Sequence, residues 1–155
     1  MRPDPRVAGY LSQALSHEMT AVQQYLTQSS LCEIWRLGEY AAYFRLEAEE
    51  ELMHASQLIQ RMLYLGQVPN QTRLAPVRPG RDLVEMLHID WALERDAILL
   101  YQEAWQYSQR VRDQASAELF ADLLRDEQHH LQELEQRLAA LTQPAAAATQ
   151  AGPKP

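Results

Sequence analysis

"LEAEEELMHASQ", residues 46–57, holds one E-x-x-H: Glu51 and His54. Residues three apart on an α-helix share a face, so both side chains can reach one point. Alone the motif says little, because acidic residues ordinarily coat solvated helix faces. Its weight comes from a second copy 76 residues further on, Glu127 and His130. The same interval separates Glu18 from Glu94, Tyr25 from Tyr101 and Glu50 from Asp126. Each tyrosine follows its glutamate by seven residues, two helical turns along the same face. The chain therefore reads as two helical hairpins of one plan. Each offers a Glu from its first helix and a Glu-x-x-His from its second.

Hydrophobic periodicity supports that plan. It predicts a first helix over about 5–37, with Leu11, Leu15, Val22 and Leu26 on one stripe. A second spans about 39–65, closed by Gly66 and Pro69. A third runs from near Gly80 and Arg81 to Val111, with Leu83, Met86, Leu87 and Leu93 as its stripe. A fourth runs over 113–142, with Asp113 as a candidate N-cap and Leu119, Leu123, Leu131, Leu134 and Leu138 facing inward. Residues 66–80, "GQVPNQTRLAPVRPG", have three prolines and no helical period. A connection that long suits a crossover along the length of a four-helix bundle. The expected fold is all-α: residues 1–143 form the bundle, and 144–155 form a Pro/Ala-rich tail with room for a short fifth helix.

Composition narrows the function. The chain has 155 residues, 46% apolar, enough for one domain with a core. A formal charge of −7 with no basic block argues against a nucleic-acid partner. Cys32 is the only cysteine, so no intrachain disulfide is possible and a reducing compartment fits. No leader-type apolar segment or membrane-length run is visible, so the expected location is the cytoplasm.

Glu18 sits between Leu15 and Val22, and Glu94 among Leu87, Trp91 and Ile98, so both point into apolar stripes. An ionised carboxylate facing a core is costly unless it is paired or binds metal. Four such groups converging would repel one another, and two divalent cations would neutralise them. Two glutamates plus two Glu-x-x-His pairs is the di-iron or di-manganese pattern of ferritin-like bundles. Carboxylate oxygen with one imidazole per metal suits iron or manganese. Asp126 reads either as a hydrogen-bond acceptor for a ligand histidine or as a surface acid. Tyr25 and Tyr101 read either as partners of ligand carboxylates or as packing. His129 lies about 100° around the helix from His130 and is expected outside the site. Trp35, Trp91 and Trp105 are expected in the core or at a subunit interface.

The chain resembles the bacterioferritins over about residues 4–142. The resemblance rests on "LSHEMTAVQQYL", "HASQLIQRMLYLGQVPN", "DWALERD" and "LLRDEQHH". It implies a ferritin-like bundle whose metal ligands are Glu18, Glu51, His54, Glu94, Glu127 and His130. Glu51 and Glu127 would bridge two irons, with Glu18 and His54 completing one position and Glu94 and His130 the other. Tyr25 matches a tyrosine beside that centre. The implied activity is oxidation of Fe(II) by O2 or H2O2, with ferric mineral stored in a 24-subunit cage and a ferredoxin-type reductant for its release. The alternative is a non-storage di-iron or di-manganese oxidase or peroxidase of the same fold. A subunit whose site is vestigial is the reading without catalysis.

Departures from the family qualify that implication. The haem-ligating methionine of many members falls at Leu52, which has no donor atom, and Met53 points about 100° away. Haem b is therefore not expected on a homodimer of this chain. The pattern fits the ferroxidase type of a hetero-oligomer whose sibling carries the methionine. Leu46 and Glu50 replace a histidine and an aspartate that some members use for an iron site on the cavity wall. Glu47 and Glu49 are expected to be solvated or cavity-facing.

Overall fold

A computed structural model describes residues 2–143. Four helices appear in chain order: α1 (Pro5–Ile34), α2 (Gly38–Tyr64), α3 (Leu83–Arg110) and α4 (Gln114–Thr142). Local chemistry sets most of their starts. The Asp4 carboxylate accepts from the amides of Arg6 and Val7, and Pro5 occupies the first helical position, where no N–H is needed. Asp82 caps Glu85 and Asp113 caps Ser116. The third helix thus begins at Leu83, two residues later than expected, because the helix cannot start before its cap. The tail expectation for 144–155 falls outside the described residues.

α1 packs chiefly on α2 and α3 on α4, and contacts from α1 to α3 and from α2 to α4 close the bundle. The long connection between α2 and α3 lies along α1. Gln67 Nε2 donates to the Ala8 carbonyl and to Ser12 Oγ, Arg73 N to Ser16 Oγ, and Ala75 N to Thr20 Oγ1. Arg78 N donates to Gln24 Oε1, and Gln28 Nε2 to the Pro79 carbonyl. Positions 8, 12, 16, 20, 24 and 28 form one stripe at four-residue spacing. Polar side chains on that stripe satisfy a backbone that has no helix of its own. The connection climbs from the start of α1 towards its end, so α3 starts at the same end as α2 and runs parallel to it. Gly80 (φ 94°) turns the chain into α3, and a Cβ there would lie 2.9 Å from the Met86 amide nitrogen.

The core divides in two. Val7, Leu11, Leu58, Met62, Tyr101, Phe120 and Leu123 belong to one apolar cluster. Tyr25, Cys32, Phe44, Met86, Leu87 and Leu134 belong to the other. Trp105 packs against the first, Trp35 and Trp91 against the second. Leu26 departs from the expected stripe and is 41% exposed. Glu18, Glu51, Glu94 and Glu127 are also fully buried, but belong to neither apolar cluster. No described helix is long and apolar enough to cross a membrane.

Candidate metal centre

Four helices each deliver acid to one point: Glu18 from α1, Glu51 and His54 from α2, Glu94 from α3, Glu127 and His130 from α4. The geometry is organised around the two imidazole Nδ1 atoms. His54 Nδ1 lies 3.0 Å from Glu127 Oε1, 3.5 Å from Glu51 Oε2 and 3.6 Å from Glu18 Oε2. His130 Nδ1 lies 3.1 Å from Glu51 Oε1, 3.6 Å from Glu127 Oε2 and 3.9 Å from Glu94 Oε2. Glu51 and Glu127 therefore present one oxygen to each histidine, while Glu18 and Glu94 each serve one. The rings stack 6.1 Å apart.

The outward face of each ring is held from the neighbouring helix. His54 Nε2 is 3.0 Å from Asp126 Oδ2, and His130 Nε2 bonds to Glu50. Such partners fix the ring orientation, so that each Nδ1 points inward at the carboxylates. Asp126 is thus both an exposed acid and the partner of His54 Nε2, and Glu50 stands in the same place beside His130. The sequence reading missed the Glu50 contact, although the 76-residue match of Glu50 with Asp126 carried the signal. The tyrosines cross over. Tyr25 OH donates to Glu94 Oε1, and Tyr101 OH donates to Glu18 Oε1. Each hairpin's tyrosine orients the other hairpin's glutamate.

The electrostatics are those of crowded, dry carboxylates. Burial, reinforced by the neighbouring Glu51 charge, pushes Glu18 up to about 8. Burial alone would push both histidines down, but the carboxylates facing them, Glu127 foremost, outweigh it and raise them. Burial also raises Tyr25 and Tyr101 well above the usual phenol value.

The orphaned atoms test whether a metal fits. Glu18 Oε2, Glu51 Oε1, Glu94 Oε2, both oxygens of Glu127, His54 Nδ1 and His130 Nδ1 are buried without a hydrogen-bond partner. Buried polar atoms are ordinarily paired, so one cluster of this size wants another partner. The inward donor set of each histidine is hard oxygen plus one imidazole, which fits iron or manganese. A cavity of about 350 Å³ lined by Glu50, Met53, His54, Gln57, Asp126, His129 and His130 leads from the surface to the two rings. His129 lies outside the carboxylate cluster and pairs with Glu133 at 3.3 Å.

Glu47 corrects the sequence expectation. It is 4% exposed rather than solvated, because it sits one turn before Glu51 on the same face of α2. Its Oε2 lies 3.4 Å from His130 Nδ1, and burial pushes it up to about 7. Leu52 is 53% exposed on the outer side of α2.

Residues 8–143 match the family model for ferritin, a ferritin-like domain. The bacterioferritin of Rhodobacter capsulatus is 39% identical over 139 residues, covering 90% of this chain and 86% of that protein. This chain belongs to the bacterioferritins. The Streptomyces coelicolor bacterioferritin is 35% identical over 138 residues, covering 89% of this chain and 83% of the relative. The 2.6 Å structure of the Rhodobacter capsulatus bacterioferritin superposes with a TM-score of 0.91 at 37% identity, over 99% of this chain and 98% of that one. That structure has a metal-free dinuclear site and a heme iron in a crystallographic special position.

Proposed function

We propose that this chain is the ferroxidase subunit of an iron-storing bacterioferritin cage. The supporting observation is the paired geometry of His54 and His130, each with an inward Nδ1 facing one private and two shared carboxylates. Fe(II) is the substrate, O2 or H2O2 the oxidant, and electron transfer belongs to the iron.

The chain's own residues supply positioning and charge. Glu51 and Glu127, each with an oxygen towards either histidine, would serve both cations, so that one oxidant molecule could meet the pair. The carboxylates favour the ferric over the ferrous charge, which lowers the cost of oxidation. Asp126 and Glu50 keep each ring oriented, and Tyr101 and Tyr25 keep Glu18 and Glu94 aimed inward. Product leaves towards a cage interior for storage. Haem is not ligated at Leu52, so a haem-bearing cage would need a sibling subunit with the methionine.

The deciding experiment is aerobic Fe(II) addition, followed by sizing with iron and haem absorbance read across the peak. A cage-sized species that carries iron is expected. A dimer that retains no mineral would instead favour a non-storage oxidase of the same fold. Glu94→Ala should abolish rapid oxidation while leaving helical content intact, and unchanged stopped-flow kinetics would overturn the site.

A further inference from the structure

Within the carboxylate–histidine centre, the internal 76-residue repeat leaves one buried carboxylate without a counterpart. Glu47 on α2 corresponds to Leu123 on α4, and both are buried, at 4% and 0% exposure. The rest of the centre matches in pairs: Glu18 with Glu94, Glu51 with Glu127, His54 with His130, and Glu50 with Asp126. The two cation positions therefore differ by one acid.

Three observations place that acid inside a coordination shell. Glu47 Oε2 has no hydrogen-bond partner, although it is buried. It lies 3.4 Å from His130 Nδ1, which is equally unpartnered. Atoms bound about 2.1 Å from one cation, at octahedral to tetrahedral angles, lie about 3.0–3.4 Å apart. Finally, Glu47, Glu51, Glu94 and His130 offer ligand atoms that all fall within 4.8 Å of one another. On the other side the corresponding set is Glu18, Glu51, His54 and Glu127, with the apolar Leu123 at the matching place.

We propose that Glu47 is a seventh metal ligand, private to the His130 position, and that it makes this position the tighter of the two, so that divalent cations load there first. This rests on the di-metal reading given above. The His54 position has Glu18 as its private carboxylate. The His130 position has Glu94 and Glu47. Both share Glu51 and Glu127, so the extra negative charge and extra oxygen fall on one side only. Stepwise loading follows from a difference of ligand count within one shared pair of bridges.

Anaerobic Co(II) titration of the assembled protein, read by visible absorption and calorimetry, tests this without any oxidation. The wild-type chain should take two equivalents, the first at least about tenfold tighter than the second. Glu47→Leu, which copies Leu123, should weaken one equivalent by about 10- to 100-fold and leave the other unchanged. Glu47→Gln keeps the side-chain shape and decides the matter if the leucine variant fails to fold. In a His54→Ala background the remaining equivalent should still respond to Glu47→Gln. In a His130→Ala background it should not. Two equal steps in the wild type, or a Glu47 substitution that weakens both equivalents or neither, would overturn the proposal. Fewer than two equivalents in the wild type would instead overturn the di-metal reading beneath it.

Discussion

Arg36 and Arg112 sit 76 residues apart at the tips of the α1–α2 and α3–α4 hairpins, and both have φ 61°. Around them the backbone repeats bond for bond. Leu37 N reaches the Cys32 carbonyl at 2.8 Å, and Asp113 N reaches the Ser108 carbonyl at 2.9 Å. Ala41 N–Leu37 O and Ala117 N–Asp113 O are both 2.9 Å. The side chains then part. Leu37 makes no capping bond, whereas Asp113 caps α4 and takes the Arg61 guanidinium at 2.8 Å. Deeper in the bundle Glu47 faces Leu123 and Asp90 faces Ala14 across the same interval. Backbone and bridging ligands follow one plan, and the differences sit in buried acids that only one hairpin carries.

The strongest way to break the comparison is to remove something both halves share. Glu127 gives Oε1 to the His54 side and Oε2 to the His130 side. Glu127→Gln should therefore weaken both cation positions and slow Fe(II) oxidation by about 100-fold or more, since a lost ligand costs at least as much as a lost outer partner. Stopped-flow oxidation and Co(II) stoichiometry check this. Retention of one tight equivalent would mean that the bridge is not shared.

A buried acid present in one half only gives the next effect. Asp90 is fully buried, its carboxylate oxygens lack partners, and burial raises it well above the usual carboxylate value. Gln24 and Gln28 face it from α1, and the Glu47 charge adds to the rise. The folded chain thus keeps a proton that the unfolded chain loses near pH 4. Stability from this group is full below about pH 4 and falls by up to about 1.4 kcal/mol per pH unit as pH rises towards the folded value. Asp90→Asn should remove that slope in the metal-free protein, and should leave it more stable than wild type at neutral pH. Parallel denaturant titrations of the two chains at pH 4.5 and pH 6.5 measure it. Equal slopes would show that Asp90 is charged in the fold.

Much of this was legible in the residues, for identifiable reasons. The four helices follow from period and caps, and the six candidate ligands from a doubled spacing that chance rarely supplies. Asp126 stayed open because a surface acid and a histidine partner look the same in a sequence. Glu47 was misread because it belongs to an acidic run in which any member can face water. Its position four residues before Glu51 was the available signal. The stripe Ser12, Ser16, Thr20, Gln24, Gln28 was overlooked because polar residues at helical spacing usually mark a solvated face. Here they bind the irregular connection between α2 and α3.

The crossed tyrosines sharpen the comparison. Tyr101→Phe removes the donor to Glu18 and Tyr25→Phe the donor to Glu94, each bond fully buried. Loss of an orienting hydrogen bond to a ligand should weaken the served position by about tenfold. Tyr101→Phe should act on the His54 position and Tyr25→Phe on the His130 position. Paired Co(II) titrations separate them, and identical profiles for both variants would deny the crossed arrangement.

The smallest effect probes the turns themselves. A left-handed conformation costs an ordinary residue about 1–2 kcal/mol, and glycine escapes that cost but has more freedom to lose on folding. Arg36→Gly and Arg112→Gly should therefore each raise stability by about 0.5–1 kcal/mol in denaturant unfolding. Neither arginine at 36 nor that at 112 takes part in an ion pair among the described residues, so backbone relief is the main change. Because the two tips share φ and hydrogen bonds, the two gains should agree. A gain at Arg36 alone would show that the two turns, despite their shared φ and hydrogen bonds, do not carry the same strain.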